Sequence, residues 1–131
     1  MNTLEEKIPD FSEIDSKMRD LGFKKIESKT RLIDFENRSN VHIILFCENL
    51  EHGEVCIAFL DHPEVNRRYF DIRYIIRGDK NFDEDEYLKK ERCCVSDIEN
   101  KLRFLFEHYD IILNYNYCRE LYETNDYYKI S

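Results

Sequence analysis

The side chains best suited to acid-base or metal chemistry in this sequence are four histidines, His42, His52, His62 and His108, and the carboxylates scattered around two of them. His52 and His62 fall in stretches of turn composition among Glu51, Glu54, Asp61 and Glu64, and imidazole with carboxylate is a donor set that divalent metals accept. The spacing argues against a site, because no HxxxH or HExxH pair would set two ligands on one helix face. Solvated loop residues are the plainer reading, and no metal or other cofactor is expected. His42 lies in a predicted strand and His108 near a predicted helix end, where an imidazole more often complements the helix dipole than catalyses.

Thiol chemistry meets the same test. The five cysteines are an odd number without a CxxC pair, so neither a disulfide framework nor a zinc ribbon is written in them. Cys93-Cys94 would become reactive if a helix began at Ser96, since the positive end of a helix favours the thiolate. No His or Asp is placed by sequence to activate either one, and a structural role is expected for both. Three glycines in the whole chain leave no phosphate-cradling loop, and there is no GxSxG elbow. A non-enzymatic protein is therefore expected. The alternative is a small enzyme or ligand sensor that uses the loop His and carboxylate groups or Cys93-Cys94.

The elements that must position these residues follow from periodicity. Ser12 and Asp15 read as a helix start, Ile14, Met18 and Leu21 share a face, and Gly22 stands where the helix would end in a left-handed residue. From Lys24 the period becomes two, predicting one strand that runs to a turn at Asn37-Arg38-Ser39-Asn40. Residues 41–48 and 54–60 are rich in β-branched and aromatic side chains and predict a central hairpin, with Cys47 opposite Cys56 if residues 50–53 form the loop. The alternation in residues 69–77 predicts a fourth, half-exposed strand. Leu88, Val95, Ile98, Leu102, Leu105, Tyr109 and Ile112 then keep a helical stripe, either as one continuous helix or as two with a break near residues 94–96, where Ser96 and Glu99 form a capping-box pattern. A turn at residues 114–116 precedes a short helix from Tyr117 to about Glu123. The expected fold is α+β, a four-stranded and mostly antiparallel sheet with an N-terminal helix and C-terminal helices packed on it, in a single domain spanning residues 1–131.

Size and charge bound the partners. At 131 residues, 42% hydrophobic and 14% aromatic, the chain has the material for a core without staples, and it shows none of the composition of disordered segments. The charged start predicts no signal peptide, and the longest apolar runs fall far short of a membrane span, so a cytoplasmic protein is expected. A formal charge of -8 disfavours nucleic acid and anionic membranes as partners. The excess is uneven: residues 1–66 hold 14 acids and 8 bases, the remainder 14 and 12. Glu48, Glu51, Glu54, Asp61 and Glu64 gather around the predicted hairpin, and Asp83 to Glu86 form a second patch. A solvated face is one reading, and a docking surface for a basic protein is the sharper one. Tyr117 and Tyr122, in a tyrosine-rich C-terminal stretch, are the candidate anchors for such an interface. A homo-oligomeric structural domain is a third reading, and the oligomeric state is left open.

One helix, then IILFC, VCIAFL and YFDIRYII, then the segment FLFEHYDIILNYNYC, in a small acidic chain, resembles the layout of bacterial immunity proteins of polymorphic-toxin and contact-dependent inhibition systems. The resemblance is one of layout and carries no residue-level role. It implies an inhibitor that binds a cognate protein toxin, often a basic nuclease, and blocks or distorts its active site.

Overall fold

The computed structural model describes residues 12–29, 31–47, 52–60, 69–88 and 94–124. Their order is α1 (Ser12–Asp20), β1 (Lys24–Ser28), β2 (Leu32–Glu36), β3 (Val41–Cys47), β4 (Gly53–Phe59), β5 (Tyr69–Asp71), α2 (Ile72–Gly78), α3 (Glu84–Tyr87), α4 (Cys94–Ile112) and α5 (Tyr115–Thr124). The fold is α+β with an antiparallel sheet in the order β1-β2-β3-β4-β5. Five strands replace the four expected, and two local competitions account for the difference.

The predicted strand from Lys24 folds back on itself. Lys29 N–H donates to the Leu32 carbonyl at 2.7 Å and Leu32 N–H returns to Lys29 at 3.4 Å, which turns β1 against β2. The period of two continues through so tight a turn, so alternation alone hides it. Residues 69–77 err in the other direction. Only Tyr69–Asp71 is strand, because the Asp71 carboxylate accepts from Arg73 N–H at 2.8 Å and caps α2. The run then buries Ile72, Ile75 and Ile76 at helical spacing.

Register is the third correction. Cys47 lies opposite Gly53 and Ile44 opposite Cys56, three residues away from the expected pairing. An odd slip exchanges faces, so Cys47 and Cys56 point to opposite sides of the sheet. Val41, Ile43, Leu45 and Cys47 share one side with Val55, Ile57 and Phe59, and Ile33, Phe35 and Phe70 extend that layer. The helices pack on this side. Ile98, Leu102 and Leu105 of α4 lie against it with Met18 of α1 and Ile75 and Ile76 of α2. Tyr115 of α5 sets its ring edge-on to Phe59 and Phe70, at 5.6 and 6.1 Å between centroids. Burying each large apolar side chain contributes about 1.5–3 kcal/mol, so this single layer is the main source of stability.

Helix ends follow local chemistry. Past α1, Phe23 N–H donates to the Met18 carbonyl and Gly22 N–H to the Arg19 carbonyl, with Gly22 at φ +91°, the paired bonds of a left-handed helix stop. α4 begins at Cys94, so Ser96 sits inside its first turn and does not cap it. Within α4, His108 departs from helical geometry at φ -129° and ψ 21°. Its ring there packs 4.7 Å from Phe82 and 5.0 Å from Phe104, in an aromatic cluster that includes Tyr87. α5 starts two residues earlier than expected because the Asn114 side chain accepts from Tyr117 N–H at 3.0 Å. Among the described residues, no helix is long and apolar enough to cross a membrane.

Candidate functional site

The second face of the sheet is where functional side chains converge. Register places Lys24, Glu36, His42 and Ala58 in one row across the strands, Glu27, Asp34, Ile44, Cys56 and Asp71 in the next, and Leu32, Phe46 and Glu54 in a third. The central column is β3, with Ile44 and Phe46 half-buried. Carboxylates stand on both flanks, Asp34 and Glu36 on β2, Glu54 on β4 and Asp71 on β5. Neighbouring strands are about 4.8 Å apart, so the two acidic flanks are separated by roughly 10 Å with an apolar strip between them.

His42 organises one flank. Only 7% exposed, its Nδ1 lies 2.8 Å from Asp34 Oδ1 and its Nε2 3.2 Å from Glu36 Oε2. Both carboxylates sit on β2, spaced by two so that they share the face of His42. The ring is thereby held between two acceptors, one at each nitrogen.

The other flank gathers Glu54, Cys56 and Asp71, whose ligand atoms all lie within 4.8 Å of one another. The donor set is one a divalent cation could use if the thiol lost its proton. Burial raises the Cys56 thiol far above its usual range, and the adjacent Asp71 and Glu54 charges raise it further. Asp71 is also engaged, one oxygen accepting from Arg73 N–H and the other 3.9 Å from the Arg73 guanidinium, which stacks over Tyr74. The set is therefore a thiol between two carboxylates, Asp71 held by Arg73 and Glu54 4.0 Å from Cys56 Sγ.

Of the residues singled out from sequence, Glu54 lies on this face. Glu48, Glu51, Asp61, Glu64, His62 and Cys93 lie outside the described residues. His52 is exposed just before β4. Tyr117 lies in the helical layer, where its hydroxyl donates to Asp79 Oδ2 at 2.7 Å and ties α5 to the end of α2. Tyr117 is thus a strut between helices, on the other side of the sheet from Glu54. Tyr122 belongs to α5 and Cys94 opens α4, with the side chains of both outside the described part. In the second acidic patch, Glu84 pairs with Arg77 at 3.0 Å and Glu86 with Arg103 at 3.3 Å, which neutralises much of it. Asp34, Glu36 and Asp71 are not singled out by the sequence, and His42 is read there only as a strand residue. The alternation of Leu32, Asp34 and Glu36 against Ile33 and Phe35 was the available signal, but it identifies a face without naming cross-strand neighbours.

No protein-family model, curated protein or solved structure matches the chain.

Proposed function

We propose that the chain is a non-enzymatic, acidic protein-binding module of the immunity type, which docks a basic protein toxin on the second face of its sheet. The observation that carries this reading is the apolar strip of Ile44 and Phe46 between two carboxylate flanks. An apolar centre with a charged border is the anatomy of a protein interface, and the border charge selects a partner of opposite sign. The overall charge of -8 adds long-range attraction for such a partner. A basic nuclease fits that description, since its own substrate demands a positive surface.

The test starts from a partner captured from the source cell or produced from a neighbouring gene. Binding kinetics are then measured at two salt concentrations for wild type, for Glu27→Lys with Glu54→Lys, and for Phe46→Ala, with folding checked by circular dichroism. Attraction by the flanks predicts slower association at high salt and in the double variant, and faster dissociation for Phe46→Ala. If on-rate, salt slope and off-rate all match wild type, the face is a solvated surface and the reading fails.

A further inference from the structure

Seven arginines lie among the described residues, and their pairing is uneven. Arg73, Arg77, Arg103 and Arg119 each have a carboxylate within ion-pair distance, and Arg31 has an interaction of its own. Among the described residues the guanidinium groups of Arg19 and Arg38 have no hydrogen bond or ion pair, and both residues line the same cleft of about 570 Å³. Leu21, Gly22, Phe23, Asn37 and Ser39 supply the rest of its wall, so no carboxylate borders it. The nearest acids in sequence are occupied or outside the wall: Asp15 pairs with Lys25 at 2.8 Å, Glu36 contacts His42, and Asp20 does not line the cleft.

Both arginines stand on fixed backbone. Arg19 lies in the last turn of α1, and the stop after it satisfies the Met18 and Arg19 carbonyls that would otherwise repel an anion. Arg38 rides a turn in which Asn37 Oδ1 accepts from Ser39 N–H at 2.9 Å and Val41 N–H at 3.0 Å. The end of that turn is tied to the strand beyond it, since Leu60 N–H donates to the Asn40 carbonyl at 3.1 Å. A second cleft of about 390 Å³ shares Ser39 with the first and is walled by Val41, Phe59 and Tyr115, with Asn114 and Asn116 at its rim.

We propose that this paired cleft binds a phosphorylated small molecule, its phosphate between Arg19 and Arg38 and its organic body beyond Ser39 among Val41, Phe59 and Tyr115. Two guanidinium charges match the dianion of a phosphate monoester, and each planar fork can hold two of its oxygens. The apolar and amide wall suits a flat polar ring. Asp15, which lines a neighbouring cleft together with Arg19, is held by Lys25 at 2.8 Å, which offsets its charge. This site lies at the end of the sheet and is independent of the docking face.

The probes are adenosine monophosphate, inorganic phosphate and adenosine, titrated into the full chain by calorimetry or by amide shifts. Wild type is compared with Arg19→Gln, Arg38→Gln and the control Arg77→Gln. The expected order is adenosine monophosphate tightest, inorganic phosphate weaker and adenosine weakest. Each of the two cleft variants should weaken the nucleotide by about tenfold or more, from the loss of a charge-assisted bond, while the control leaves it unchanged. The proposal is overturned if the nucleotide does not saturate, if it binds no more tightly than inorganic phosphate, or if its affinity is indifferent to Arg19 and Arg38.

Discussion

Lys101 Nζ donates to the carbonyl of Gly53 at 2.6 Å, while Asp97, one turn earlier on the same helix, accepts from Gly53 N–H at 3.0 Å. Two charged side chains 3.4 Å apart thus satisfy both backbone groups of the first residue of β4. An ammonium group only 2% exposed is tolerated because it is paired and hydrogen-bonded. Lys101→Met leaves the carbonyl without its donor and Asp97 without its counter-charge, and the expected loss is about 2–4 kcal/mol in urea unfolding. Adding Asp97→Asn should cost less than the two single losses together. Strict additivity would mean that the two side chains do not act as a unit.

Cys56 and Cys118 should be poor nucleophiles. Burial, then Asp71 and Glu54, raise the first thiol, and burial pushes the second up to about 12 while its Sγ donates to the Ile112 carbonyl at 3.3 Å. In a variant with the other three cysteines changed to Ser, alkylation at pH 8 should run at least about a hundredfold slower than in the urea-unfolded chain. Comparable rates would mean that one of these thiols is open to solvent.

Tyr87 provides a pH test. Burial, then the hydrogen bond its hydroxyl gives to Glu107 at 2.5 Å, lift it from 10.0 to about 12. A group raised in the folded state contributes stability that is fully present below the unfolded value and is lost as pH rises through the folded one. The urea midpoint of wild type should therefore fall towards that of Tyr87→Phe between pH 10 and pH 12. Parallel curves across that window would contradict it.

Gly22→Ala should destabilise the chain by about 1 kcal/mol. The space is open, with nothing within 4 Å of an added Cβ, so the cost comes from the φ of +91° alone. Gly22→Asn, which tolerates the left-handed region better, should recover part of the loss in thermal unfolding. Equal losses for Ala and Asn would point to packing instead of backbone.

Local signals carried the reading of sequence furthest where a single residue decides the geometry. Gly22 marked the end of α1, and Val41 to Cys47 declared a strand through β-branched density. The register of β3 against β4 was not legible, because both strands are apolar on both sides and several alignments keep bulky pairs opposed. What selects the observed one is tertiary: Gly53 must reach Asp97 and Lys101, more than forty residues away. The same limit hid the candidate site. Glu54 was visible in an acidic stretch, but His42 between Asp34 and Glu36 exists only once β2 and β3 are paired. Asp71 looked like the outer face of a strand when its carboxylate in fact starts a helix.

The rims of the sheet decide how copies of this chain behave when crowded together. An exposed strand with free backbone groups is a template on which a second molecule can extend the sheet, the first step towards fibres. Here β1, exposed along its length, carries Lys24, Lys25 and Glu27, with Lys29 just beyond, and its pairing slips between Lys25 and Glu27. Charge and a twisted backbone spoil that rim for a flat incoming strand, even though Ile26 is 46% exposed on it. At the opposite rim β5 offers three residues before the chain turns into α2. Growth by strand addition is thereby discouraged at both ends of the sheet, and replacing the lysines of β1 with Val or Thr is the change that would invite it.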